Sequence, residues 1–197
     1  MEWALILIAA ACIVTLIWLR RTRVKPLPQG WIFGARVNGQ NVSIGMGERP
    51  ELTMDGFAFD FPDLLDGEVH AVTRECTGLA GDLRFDWFVK GGPFIAVEQP
   101  FLPATVSIYL HTAGQDWRDP NARWYAPEAF KLIEGRHSRS IPLTGWRNVD
   151  GRLDEVRFVE ALRNVGRIGI AFGSRDRRSH GVAGTGRFEL LALEVAE

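Results

Sequence analysis

From Leu83 to Val89 the chain reads LRFDWFV, and apolar and polar positions alternate. Leu83, Phe85, Trp87 and Val89 fall on one face of an extended strand, with Arg84, Asp86 and Phe88 on the other. Similar short runs occur at Glu51 to Phe61, Glu68 to Cys76, Pro103 to His111 and Arg167 to Gly173, each bounded by Gly, Pro, Asp or Asn clusters. Strands punctuated by turns in this way predict an antiparallel sandwich rather than alternating β-α units. One helix interrupts them, DEVRFVEALRNVG. Asp154 is placed to cap it, Val156, Val159, Leu162 and Val165 are expected to share its buried face, and Gly166 is expected to end it.

The pattern is different at the start. Trp3 to Leu19, WALILIAAACIVTLIWL, holds no charge, and its only hydroxyl belongs to Thr15. As a helix it is about 26 Å long, near the lower limit for spanning a bilayer core of roughly 30 Å. Trp3 and Trp18 sit where amphipathic rings favour the headgroups, and Arg20, Arg21, Arg23 and Lys25 follow to snorkel outward. A cleaved signal peptide is the competing reading. It fits poorly, because the residues before the run carry Glu2 and no cation, and the exit is cationic rather than small. Cleavage at Ala9-x-Ala11 leaves a very short apolar core, and the lipoprotein-like Cys12 lacks a basic leader. The expectation is an uncleaved single-pass anchor over residues 1–25, a stiff linker over 26–30, and one domain over 31–197. The cationic flank predicts a cytoplasmic domain by the positive-inside rule, with the outer face or periplasm as the alternative.

HGVAGTGRFELLALEV, His180 to Val195, places Gly181, Gly184 and Gly186 close together and raises the question of a phosphate loop. A dinucleotide loop needs glycines ordered G-x-G-x-x-G between a strand and a helix whose N-terminal amides hold the phosphate. Here the order is G-x-x-G-x-G, and the residues that follow alternate like a strand. The segment is read as a flexible entry into a last strand.

The second half of the chain carries a resemblance. ARWYAPEAFKLIEGRHSRSIPLTGWRNVDG (Ala122 to Gly151), then FVEALRNVGRIGIAFG and GTGRFELLALEV, are similar to the galactose-binding-domain-like jelly rolls, a group that includes several carbohydrate-binding modules. A strand ending in IPL, a tryptophan, a short helix of F-x-x-AL-x-NV type and a last strand recur there in this order. The resemblance implies a mainly β, antiparallel, jelly-roll-like sandwich with one short helix. In that group the domain is usually non-catalytic and sometimes holds a structural calcium. No binding residue of the group maps onto this sequence.

Composition narrows the function. A net charge of −1 gives no support for a nucleic-acid surface. Of the two cysteines, only Cys76 lies beyond the apolar run, so an intramolecular disulfide is excluded there. The four histidines have no zinc spacing, and no G-x-S-x-G elbow is present. Asp60, Asp63 and Asp66 offer oxygen ligands at close spacing, yet without the EF-hand order an ordinary acidic turn is the simpler reading. No cofactor is expected, and the chain is not read as an enzyme.

The candidate surface is His111 to Phe130, HTAGQDWRDPNARWYAPEAF. Trp117 and Tyr125, interleaved with Asp116, Arg118 and Arg123, supply what sugar recognition requires: flat rings for pyranose C–H faces, and charged forks for vicinal hydroxyls. Trp124 and Tyr125 are adjacent, so on a strand at most one points outward. SRDRRSH (Ser174 to His180) is a basic loop, suited to an acidic polysaccharide, a phosphate or an anionic headgroup, or simply a solvated hairpin tip. Trp146 is expected in the core, and Trp31 where the linker enters. Two functions follow from these residues: a membrane-anchored glycan-binding module, or a scaffold for a membrane-protein partner.

Overall fold

A computed structural model describes residues 31–37, 40–42, 51–52, 56–176, 178 and 180–195. The expected anchor and linker lie outside the described residues. Among those described, no helix is long and apolar enough to cross a membrane.

The elements run β1 (Ile32–Val37), β2 (Gln40–Val42), β3 (Glu51–Leu52), β4 (Phe57–Asp60), β5 (Gly67–Glu75), β6 (Leu83–Ala96), β7 (Thr105–Thr112), β8 (Arg123–Tyr125), β9 (Phe130–Lys131), β10 (Gly135–Ile141), β11 (Arg147–Asn148), a helix α1 (Glu155–Arg163), β12 (Val165–Gly173) and β13 (Val182–Val195). The strands form one curled, wholly antiparallel sheet, ordered β10-β6-β13-β5-β12-β7-β8-β11 along its main path. β13 meets β5 at a single position, Val182 opposite Val69, and there the sheet folds back into two wings. Phe172 of β12 touches Phe188 of β13 and Phe59 of β4, with ring centres 5.2 and 5.7 Å apart, so the wings pack face to face. Between them lie Phe57, Phe61, Phe85, Trp87, Ile108 and Ile170, all buried. At about 25 cal/mol per Å² of apolar surface removed from water, this aromatic interior is the main favourable term for the fold.

Leu83, Phe85, Trp87 and Val89 all point into that interior, as their alternation predicts. β6 runs well past Val89, because β13 pairs with it over most of its length. β13 itself departs from strict alternation. A register shift between Leu190 and Ala192 lets Phe188, Leu190 and Leu193 all reach the core, where a regular strand would turn Leu193 outward. The glycines before it serve the same pairing. Gly184, at φ 150°, lies so close to Pro93 that a Cβ would overlap the Pro93 carbonyl, and a Cβ on Gly186 would stand 2.6 Å from the Lys90 oxygen. These glycines seat one strand against another, and a strand rather than a helix follows them.

The helix begins where expected. The Asp154 carboxylate accepts from the Arg157 amide at 3.0 Å. Its buried face differs from the expected one. Val156 and Val159 are 73% and 46% exposed, while Phe158 and Ala161 point inward. Phe158 decides the rotation, because its ring fills the space between Trp124 and Trp146 at 5.4 and 5.3 Å. An aromatic ring removes more apolar surface from water than two valines at the rim. The helix also ends before Gly166. Asn164 caps it by donating its amide to the Ala161 carbonyl, and Gly166 already belongs to β12, where a Cβ would stand 2.8 Å from the Ala113 Cα.

Candidate functional site

β7 is buried on both faces. Val106, Ile108 and Leu110 enter the interior, whereas Thr105, Ser107, Tyr109 and His111 lie on the outer face and are buried there too. The ladder brings partners to that outer face. Tyr109 stands opposite Tyr125 and His111 opposite Arg123 on β8, and on the other side Tyr109 faces Gly169 of β12. Ala171 and Ala71 complete a small apolar cluster with the two tyrosines, separate from the main core.

Gly169 explains why Tyr109 can lie down on the sheet. Any Cβ at that position would overlap the tyrosine ring, so the missing side chain is the ring's seat. The Tyr109 and Tyr125 rings are 5.7 Å apart at 35°. Burial pushes the Tyr109 phenol up to about 12, against the opposing pull of a hydrogen bond with Thr73. Further along, the Trp117 indole stacks on the His111 imidazole at 3.9 Å and 20°, and meets the Tyr109 edge at 6.3 Å. The Arg123 guanidinium carbon is 5.8 Å from the indole centre, and that of Arg178 is 5.8 Å from the Tyr125 ring. The result is a row of four rings, Trp117, His111, Tyr109 and Tyr125, bordered by two arginines.

Polar atoms within this row lack protein partners. Ser107 Oγ, His111 Nε2 and Arg123 Nε are buried without a hydrogen bond among the described residues. These atoms lie beneath the surface rather than at it, so they belong to the floor of the row. Burial, followed by the charges of Arg167 and Arg123, holds the His111 imidazole below its ordinary value, which favours the neutral ring beneath Trp117.

Of the residues singled out from sequence, Trp117 is 41% exposed and is the open ring of the row. Asp116 and Arg118 flank it at the surface, where the Arg118 amide donates to the Asp116 carboxylate at 2.9 Å and tightens the turn that presents the indole. Arg123 is half-buried beside Trp117. Tyr125 is only 4% exposed and forms floor rather than rim. Trp124 points the opposite way into the core and donates its indole N–H to the Asn121 carbonyl at 2.8 Å, so one of the adjacent pair faces out, as a strand requires. Trp146 and Trp31 are buried. Asp60 pairs with Arg187 at 3.5 Å, and Asp63 accepts from Asp66 and Gly67 amides in a turn. Among the described residues no three His, Cys, Asp or Glu side chains gather as metal ligands.

Tyr109 lies outside the surface read from the sequence and His111 only bounds it, although in PATVSIYLH the two alternate with Val106, Ile108 and Leu110 and therefore share the second face. Arg178 belongs to the basic loop singled out from the sequence, but nothing local places it beside Tyr125. It reaches Tyr125 because its loop folds back on β8, where it donates to the Ala126 carbonyl at 2.6 Å. Beyond Tyr125 the row opens into a cleft of about 430 Å³, walled by the turn after β11 and by Arg175, Asp176, Arg178 and His180.

No protein-family model matches the chain, and no curated protein matches it. Two solved structures are similar at 10% sequence identity. One is the xylan-binding module CBM15, with a TM-score of 0.36 over 88% of this chain and 97% of that one. The other is Xylanase10C from Cellvibrio japonicus in complex with xylopentaose, with a TM-score of 0.34 over 85% of this chain. The chain spans 28% of the length of that xylanase chain.

Proposed function

We propose that this chain is a membrane-tethered, non-catalytic binding module of the jelly-roll type, and that its ligand is a carbohydrate lying on the outer face of β7 and β8. The observation that carries the reading is the open Trp117 indole, braced by His111 and bordered by Arg123. A sugar ring has an apolar C–H face for the indole and hydroxyls for Arg123 and the rim pair Asp116 and Arg118. Tyr125 serves as the floor of the row, next to the cleft. Tethering is supported by the uncharged run Trp3 to Leu19 and its cationic flank.

A second reading has its own observation. Val156 and Val159, spaced i, i+3 on α1, and Leu153 just before it are exposed apolar residues, which suits a scaffold that docks a membrane-protein partner. The two readings separate on glycan retention and on side. Full-length protein in detergent, screened on a glycan array, should retain defined oligosaccharides and lose them when Trp117 becomes alanine. A reporter fused after Glu197 should then be active outside the cytoplasm. An array with no retained glycan, together with a reporter active in the cytoplasm, moves the function to the scaffold.

A further inference from the structure

The cleft beyond Tyr125 is walled by Arg147, Arg175 and Arg178, with Asp150 and Asp176 between them. None of the three guanidiniums lies in an ion pair among the described residues. Two are held by carbonyls. Arg147 donates to Gly151 at 2.9 Å, and Arg178 donates to Ala126 at 2.6 Å and Pro127 at 3.4 Å. Carbonyl bonds fix a guanidinium in place and leave its charge and further N–H groups for something else. Arg175 is exposed at the cleft mouth. His180 also lines the cleft, but its ring is engaged by Glu98 at 3.0 Å.

We infer that this cleft takes the carboxylate of an acidic sugar residue, whose ring extends from the Tyr125 floor towards Trp117. The inference rests on the glycan reading above and names the class of saccharide. Three arginines converge on one space with only two aspartates among them, leaving one positive charge. Arg147 and Arg175 lie close enough to press the Arg178 guanidinium downward from its ordinary value, after burial as the larger cause. Like charges brought together in this way cost the free protein stability that a bound anion recovers. One surplus positive charge is matched by a monoanionic carboxylate, whereas a phosphate dianion would leave the cleft net negative. A planar carboxylate also matches the guanidinium fork. The β11 turn is stiff enough to hold the geometry: Asn148 is buried and bonded to Asn121, and its carboxamide oxygen accepts from the Arg152 amide at 2.9 Å.

The test uses full-length protein in detergent, titrated with a uronic-acid trisaccharide, its neutral methyl ester and inorganic phosphate. The acid form should bind about tenfold to a hundredfold tighter than the ester, the range expected for charge-assisted hydrogen bonds, and the gap should shrink with added salt. Arg175→Gln should narrow the gap while leaving ester binding and the melting temperature unchanged, since Arg175 holds no structural bond among the described residues. Acid and ester binding alike, both lost with Trp117→Ala, would overturn the carboxylate assignment and leave the glycan reading standing. Phosphate binding with neither saccharide bound would overturn both in favour of a phosphate-bearing ligand. No binding of any probe by a protein that retains other glycans on the array would overturn the carboxylate assignment alone.

Discussion

The Trp117 indole rests flat on the His111 imidazole, 3.9 Å between centres. An exposed loop tryptophan usually samples many rotamers, and this one is held by a ring projecting from near the end of a buried strand. Its orientation is therefore set before any ligand arrives, which lowers the ordering cost of stacking.

Trp117→Ala should leave the fold intact and weaken glycan binding tenfold to a hundredfold, the loss of a stacking platform worth about 1–3 kcal/mol by analogy with base–aromatic stacking. Trp146→Ala should do the opposite. That ring is fully buried, stacks on Phe158 and donates to the Pro142 carbonyl at 2.8 Å. Its loss should cost about 3–5 kcal/mol of stability. Paired thermal melts and titrations check the contrast.

Gly169→Ala should destabilise the protein by about 1–3 kcal/mol, because the added methyl overlaps the Tyr109 ring and the neighbouring strands cannot part. Denaturant unfolding measures this. Glycan binding should fall as well, since Tyr109 supports the edge of Trp117.

The helix offers a graded series. Asp154→Ala removes the cap and should cost about 1 kcal/mol. Phe158→Ala should cost about 3–5 kcal/mol and Val156→Ala less than about 0.5, the reverse of what an inward-facing Val156 would give. Equilibrium denaturation of the three variants ranks them.

His111 predicts a pH dependence. Its folded-state value lies below the ordinary 6.5, so the unfolded chain takes up the proton first as pH falls. The contribution to stability is full above about 6.5 and is lost as pH falls through the folded value. His111→Phe keeps a ring beneath Trp117 and removes the titration. Melting temperatures of the two proteins, compared between neutral and mildly acidic pH, should diverge only where wild-type His111 titrates.

Membrane attachment is checked directly. Full-length protein should sediment with membranes, resist carbonate extraction and retain residues 3–19 by mass spectrometry. Exchanging Arg20, Arg21 and Arg23 for neutral residues, with lysines added near Met1, should reverse the reporter's side if the cationic flank sets topology.

Strand positions were legible because alternation is a local property: LRFDWFV places its own four inward residues. The site was half legible. Trp117, Arg123 and Tyr125 stood out by residue type, and the β8 register does bring Tyr125 to Tyr109. The basic loop holding Arg178 was legible by composition, but its place beside Tyr125 was hidden because it depends on contacts distant in sequence. The face of α1 was misjudged for an energetic reason. Val156 and Val159 satisfy helical spacing as well as Phe158 and Ala161 do, and only the cavity between Trp124 and Trp146 chooses between them. The bulge in β13 was likewise set by its long pairing with β6.

β13 is synthesised after every strand it holds. It pairs with β4, β5 and β6, and among the described strands it alone joins the hydrogen-bonded path of one wing to that of the other. While a ribosome is still making the helix and β12, the edges of β4 and β6 that pair with β13 have no partner strand. The nascent domain therefore passes through an interval of sticky, unpaired edges, and chaperones have their main opportunity then. Closure comes in one late step, when Val182 to Val195 emerge and zip the wings together.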